Sequence, residues 1–293
     1  MTAAFPVALI GAGNMGGAMA ANLLERGWEV HVCDCVASRS ARLAGLGASA
    51  HAEPASAAAR APVCVICVVD AAQTRDVLFG AGAAAAALRP GNVVLLCPTM
   101  APEDVEQIAA ELARLGIETL DAPMSGGPAR ARDGSMSLML AGPRSVSERL
   151  HALIAALSNK VFAISERVGD GARTKLVNNL LAGINLVGAA EALALAQRLG
   201  LDPERTLDVV EQSSGQSWIG SERMRRALHG DLQPRAHMTL LAKDTRLALQ
   251  AAAVAGFVGP LGAATRAVFA AACAAGLADQ DDAALLQWLG GAG

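Results

Sequence analysis

The first half of the chain alternates short apolar runs with stretches of helical spacing. Phe5–Ile10 is apolar and ends at Gly11, and a helical pattern follows from Asn14 to Arg26. Trp28–Cys33 predicts a second strand and Ser40–Leu46 a short helix, then Val63–Val69 a strand and Ala71–Phe79 a helix. Asn92–Leu96 is a fourth strand. Ala101–Leu115 is a long helix opened by Pro102, Glu103 and Asp104, acidic residues suited to the positive end of a helix. Ile117–Leu120, Ser135–Leu140 and Val161–Ile164 are further strands, with a helix near Ser145–Leu157. Strands alternating with helices predict an α/β fold with a doubly wound, mostly parallel sheet.

Past residue 165 the pattern changes. Gly171–Leu199 is helical in spacing, with no Pro and no turn cluster; its 29 residues would span roughly 43 Å. Helical patterns recur at Pro203–Gln212, Trp218–Leu228, Met238–Gly256 and Leu261–Gly276, and no strand pattern appears. The expected division is therefore an α/β domain over residues 1–165 and an all-α domain over 166–293, linked by the long helix. A Leu- and Ala-rich helix of that length suits burial within its own domain or against a second subunit equally well.

Composition narrows the chemistry. With no Tyr in 293 residues, any mechanism needing a tyrosine hydroxyl is excluded. A formal net charge of −3 argues against a nucleic-acid partner, which would call for a basic excess. No uninterrupted apolar run reaches about 18 residues, so no spanning helix and no membrane partner are expected. The N-terminus lacks the charged segment of a signal peptide, and a cytoplasmic location is expected. Cys64 and Cys67 sit three apart in an apolar strand pattern and would point to opposite faces. No second Cys or His pair completes a zinc site, so no metal is expected.

Gly11-Ala12-Gly13-Asn14-Met15-Gly16 follows the first strand and opens the first helix. In that context it reads as the Rossmann dinucleotide fingerprint. Gly11 permits the tight turn, Gly13 lets the backbone approach a pyrophosphate, and Gly16 lets helix and strand pack closely. Asp34, at the end of the second strand, is placed to accept the adenosine ribose hydroxyls and to repel a 2′-phosphate. NAD is the expected cofactor; Arg39 and Arg42 nearby leave NADP open.

Four stretches together resemble the β-hydroxyacid dehydrogenase family. They are Gly11 to Leu23 with Gly27; Asp121-Ala-Pro-Met-Ser125-Gly126-Gly127 with Ala131 and Gly134; Gly169-Asp-Gly171-Ala-Arg-Thr-Lys175-Leu-Val-Asn178-Asn179; and Lys243-Asp244 with Leu247 and Ala248. Their order matches over essentially the whole chain. The resemblance implies that Lys175 is the general acid/base and that Asn179 helps hold the substrate. It also implies that Ser125, Gly126 and Gly127 cradle the substrate carboxylate, and that Lys243 lies near the nicotinamide. Thr99 stands where the family places a cofactor-contacting Ser or Thr, and Val68 and Val69 would pass under the cofactor. Pro98 stands where the family often has Ser, and Ala236-His237 where it often has an aromatic residue. Independently, Lys175 and Asn179 are i and i+4 and so share a helix face. A lysine can act as base where burial and a neighbouring cation lower its pKa.

Further stretches resemble one branch, the L-threonate dehydrogenases: Asp70 to Thr74, Val77 to Gly80, Gln216 to Trp218, Arg223 to Arg225 and Asp281 to Trp288. The expectation is NAD-dependent oxidation of a short hydroxycarboxylic acid, L-threonate at C2, with Ser213, Ser214, Gln216, Ser217 and His237 as candidate partners for its hydroxyls. The alternatives are 3-hydroxyisobutyrate oxidation and reduction of tartronate semialdehyde. Imine reductases usually lack a lysine at position 175, and Lys175, Asn179 and Ser125 speak against a non-catalytic NAD-binding protein. A homodimer or homotetramer is expected.

Overall fold

The computed structural model describes residues 5–291. Two compact units make up the chain, Met1–Lys175 and Leu176–Gly293.

The first unit is built on a mixed sheet. Its strands are β1 (Val7–Ile10), β2 (Val30–Cys33), β3 (Ser49–His51), β4 (Val63–Ile66), β5 (Val93–Leu96), β6 (Glu118–Asp121), β7 (Met124–Ser125), β8 (Ser137–Ala141) and β9 (Lys160–Ser165). The order is β3-β2-β1-β4-β5-β6-β8-β7, with β9 on β8. β1 to β6 pair in parallel, as do β8 and β9, whereas β8 runs antiparallel to β6 and β7. β1, β2, β4 and β5 are buried along their whole length. Alternate residues feed two cores. Val7, Leu9, Val63, Val65, Val93 and Leu95 meet Met19 and Leu23 of α1 (Asn14–Glu25) and Leu153 of α8 (His151–Leu157). Ala8, Ile10, Cys64, Ile66, Val94 and Leu96 meet α4 (Ala71–Phe79) and α5 (Pro102–Arg114) through Leu78, Ile108 and Leu112. Helices on both faces of an apolar, mostly parallel sheet define the doubly wound Rossmann architecture.

Three details depart from the sequence pattern. β4 stops at Ile66, three residues short of the expected Val69, because the chain leaves the sheet there to pass Gly11. The expected 145–157 helix is two pieces, α7 (Arg144–Arg149) and α8, broken at Leu150. β3, β7, α3 (Pro54–Ala58) and α6 (Gly127–Asp133) have no counterpart in the sequence pattern. Trp28 packs edge-on against Phe5 with ring centroids 5.4 Å apart, closing the end of one core.

The second unit is helical. α9 (Asp170–Arg198) is continuous for 29 residues and supplies Leu186, Ala190 and Leu193 to its core. These meet Leu207 of α10 (Pro203–Glu211), Met224 of α11 (Trp218–Leu228), Met238 and Leu241 of α12 (Met238–Val254) and Phe269 of α13 (Pro260–Ala272). Asp281, fully buried, accepts from Arg226 at 3.1 Å and from the backbone N–H groups of Arg235, Ala236 and Ala283. Asp282 beside it accepts from Arg223 Nε at 2.5 Å.

Two helices, Asp170–Arg198 and Pro260–Leu277, have the length and mean hydropathy of membrane-crossing helices, though neither holds an uninterrupted apolar run of 18 residues. The first carries Asp170, Arg173, Lys175, Asn178 and Asn179 in its opening turns and lends Ala172 to one packed core and Leu186, Ala190 and Leu193 to another.

Candidate active site

The sheet order reverses at β1, with β2 on one side and β4 on the other. In a doubly wound sheet the crevice beyond the strand ends at such a point receives a ligand. The 11–16 loop and the segment after β4 both open there. A Cβ on Gly11, where φ is +97°, would lie 2.3 Å from the Cys67 carbonyl oxygen and 3.1 Å from Val68 Cγ1. A Cβ on Gly16 would lie 1.9 Å from the Gly11 carbonyl oxygen. Both glycines are thus required by the protein's own backbone. Gly13 differs: a Cβ there would meet nothing within 4 Å, and Gly13 caps α1 with no side chain. The start of α1 is therefore a backbone cradle open on the side where a pyrophosphate would lie. Ala12 and Gly16 are buried, Met15 is half-buried and Asn14 is exposed.

Asp34 follows β2 and is tied to this loop. Its Oδ2 accepts the Ala12 N–H at 2.6 Å, and its Oδ1 accepts the Val36 N–H at 2.8 Å and faces Arg39 Nη1 at 3.4 Å. Its carboxylate is only 4 % exposed. A cleft of about 380 Å³ opens beside it, lined by Asp34, Cys35, Ser40 and His51 among others. Val68 packs near Gly11, and Val69, exposed, donates its N–H to Gln73 Oε1 at 3.1 Å. Thr99 is half-buried in the turn after β5. These elements meet the steric and polar demands of a dinucleotide.

Ser125 ends β7 and opens a turn in which Gly126 (φ +131°) and Gly127 (φ +76°) take positive φ values that side-chain-bearing residues rarely adopt. A Cβ at Gly126 would also press on Arg130 at 2.8 Å. Lys175 lies in the second turn of α9 and is 7 % exposed. Asp121 holds the start of that helix. Its carboxylate accepts the N–H groups of Gly169 at 3.0 Å and Ala172 at 2.8 Å. Burial pushes Asp121 up to about 6, although backbone N–H groups of Ala172, Gly169 and Gly171 favour its anion.

In the second unit Asn179, 7 % exposed, donates its amide to Asp244 Oδ2 at 2.6 Å. Lys243 Nζ lies 3.1 Å from the other oxygen of Asp244. Asp244 thus joins the two residues of this unit that the motifs single out. The loop residues are less engaged. Ser213, Ser214 and Gln216 are exposed, and Ser217 caps α11 by accepting the Gly220 N–H at 3.1 Å. His237 Nδ1 meets the Asp279 carbonyl oxygen at 2.8 Å, just before α12. Asp121 and Asp244 both stand inside the quoted motifs, as do their partners Gly169 and Asn179, but the pairings, across 48 and 65 residues, carry no sequence signal. Cys64 and Cys67 feed different cores, and burial pushes both thiols up to about 12.

Residues 6–165 match the family described as the NAD-binding domain of 6-phosphogluconate dehydrogenase. Residues 169–289 match the family described as the NAD-binding of NADP-dependent 3-hydroxyisobutyrate dehydrogenase. The chain belongs to the β-hydroxyacid dehydrogenases. An L-threonate dehydrogenase of Cupriavidus necator is 38 % identical over 281 residues, covering 96 % of this chain and 95 % of its own. A 3-hydroxyisobutyrate dehydrogenase of Pseudomonas aeruginosa is 34 % identical, covering 90 % of each. Among solved structures, a 3-hydroxyisobutyrate dehydrogenase from Salmonella typhimurium superposes with a TM-score of 0.91 at 35 % identity, covering 97 % of this chain and 99 % of that one. This β-hydroxyacid dehydrogenase is accordingly an NAD(P)-dependent oxidoreductase that acts on the CH–OH group of a hydroxy acid.

Proposed function

We propose that this β-hydroxyacid dehydrogenase oxidises L-threonate at C2 to the 2-oxo acid, using NAD, with Lys175 as the general acid/base. The observation that carries the substrate is the likeness of the whole chain to proteins named L-threonate dehydrogenase, at 38 % identity in one case. Bound NAD supplies the two-electron acceptor. The residues of the chain then have the following parts. The 11–16 cradle and Asp34 hold the pyrophosphate and the adenosine ribose; Val68, Val69 and Thr99 line the cofactor's path. The Asp34 carboxylate disfavours a 2′-phosphate, although Arg39 lies within reach of it. The turn at Ser125, Gly126 and Gly127 offers a hydroxyl and backbone N–H groups to the substrate carboxylate. Lys175 removes the hydroxyl proton as the C–H bond breaks, and Asn179 orients the hydroxyl while Asp244 fixes its amide. By the family resemblance, Lys243 is assigned to the nicotinamide. The domain division at 165/166, the cytoplasmic location and a homodimer or homotetramer belong to the same reading.

The test is a panel of L-threonate, 3-hydroxyisobutyrate and tartronate semialdehyde, assayed with NAD or NADP in the appropriate direction. L-Threonate with NAD is expected to give the highest kcat/KM, by about tenfold or more. A higher value for 3-hydroxyisobutyrate, the substrate named for the Pseudomonas relative, would replace the substrate assignment.

A further inference from the structure

We infer that Asp121 is a positioning residue, whose anionic carboxylate bolts the start of the Lys175 helix to the end of the strand that leads into the Ser125–Gly127 turn. This inference rests on the acid/base reading of Lys175.

The geometry is specific. Asp121 is the last residue of β6 and is held in the sheet by Leu96 of β5 and Ala141 of β8. Its backbone therefore cannot shift without the sheet. Its side chain, in a residue 1 % exposed, reaches Gly169 and Ala172, with Gly171 also donating from the backbone. Four residues after Asp121 comes Ser125, and three after Ala172 comes Lys175. One carboxylate thus sets the proposed carboxylate cradle and the proposed base in a common frame.

The seat is shaped for this contact. A Cβ on Gly171 would lie 2.8 Å from the Met139 carbonyl oxygen and 2.9 Å from Asp121 Oδ2, so only glycine lets the helix start come this close. Outside the seat, Arg173 bridges Glu106 at 2.8 Å and Asp170 at 3.1 Å, which steadies the same turn from the surface. Asp170 on the helix side and the buried Cys97 thiol on the sheet side are titratable neighbours of Asp121, and Asp170 adds to the push of burial against its anion. A buried carboxylate that accepts from backbone N–H groups is a costly choice for a merely structural clasp. Its use here points to a need for geometry stiffer than a neutral acceptor would give, since charge-assisted hydrogen bonds are the stronger ones.

The test compares wild type with Asp121→Asn, Gly171→Ala and Lys175→Ala. It reads kcat and KM against pH, cofactor affinity, Tm, and amide exchange of residues 169–173. Asp121→Asn is expected to melt no lower than wild type and to bind cofactor within about twofold, yet to lose about tenfold or more in kcat. Below pH 6 the fall of log kcat in wild type should steepen from a slope of one towards two, and in Asp121→Asn it should stay at one. Gly171→Ala keeps the charge but displaces the helix start, so it should lose kcat while retaining the steep limb. Faster exchange over 169–173 in Asp121→Asn would mark the loosened clasp. An Asp121→Asn enzyme with wild-type kcat and the steep limb overturns the inference. So does one whose activity falls only in step with a lower Tm. Lys175→Ala turning over at the wild-type rate would instead remove the acid/base reading, while the exchange data would still report whether Asp121 holds the helix.

Discussion

At the scale of single residues, burial and pairing distinguish groups that sequence spacing leaves alike. Lys175 is 7 % exposed on a helix whose neighbours Val177 and Asn178 face solvent. If it moves the proton, Lys175→Ala should lower kcat by about two or more orders of magnitude while cofactor affinity, read by fluorescence titration, stays within a few-fold. Turnover near the wild-type rate would refute the role. Asp34 holds the cofactor loop as well as facing the ribose side, so Asp34→Ala should lower the NAD over NADP ratio of kcat/KM and weaken both cofactors; an unchanged ratio would show that another group discriminates. Asp244→Ala strips the buried Asn179 amide of its acceptor, a loss of about 1–3 kcal/mol. Steady-state kinetics should show it chiefly as a raised KM for the acid. Lys175, Asn179 and the glycine loop could be read from the chain because their chemistry and local spacing coincide. Asp121 and Asp244 could not, since each acts on a partner brought near only by the fold.

At the scale of elements, the strands buried on both faces were the most legible, because Val7–Ile10, Val63–Ile66 and Val93–Leu96 are apolar without interruption. β3 is not legible in the sequence because Ser49-Ala50-His51 is short, polar and largely exposed at the sheet edge. α6 was hidden behind Gly126, Gly127 and Pro128, which read as a turn although Pro suits the first turn of a helix. The fingerprint offers the sharpest element-scale prediction. Gly16→Ala puts a methyl 1.9 Å from the Gly11 carbonyl oxygen, so strand and helix must separate. Cofactor affinity should drop at least tenfold and the melting temperature should fall. Gly13→Ala meets no protein atom, so it should leave the melting temperature unchanged and weaken only cofactor binding. Equal losses of stability in the two variants would contradict this assignment of the glycines.

At the scale of the whole molecule, buried carboxylates tie stability to pH. Asp121 titrates near 6 in the fold against 3.8 for the ordinary group. Because the folded value is the higher, its contribution is full below pH 3.8 and is lost as pH rises through 6, about 3 kcal/mol in all. Asp282, raised by burial against the pull of Arg223, acts in the same sense. Asp170 and Asp281 have lowered values, and their contributions are lost on acidification instead. The Tm advantage of Asp121→Asn over wild type should therefore widen as melts are run from pH 4 to pH 7; a constant difference would place the titration elsewhere.

The Phe5–Trp28 contact has an optical consequence. With no tyrosine and three tryptophans in the chain, intrinsic emission comes from Trp28, Trp218 and Trp288 alone. Trp28, 8 % exposed, lies in the nucleotide unit; the other two lie in the helical one. Replacing Trp218 and Trp288 by Phe would leave a single fluorophore whose quenching, or energy transfer to reduced nicotinamide, follows the first unit without labels, and the converse variant Trp28→Phe would follow the second. The two halves of this dehydrogenase can thus be watched separately by light.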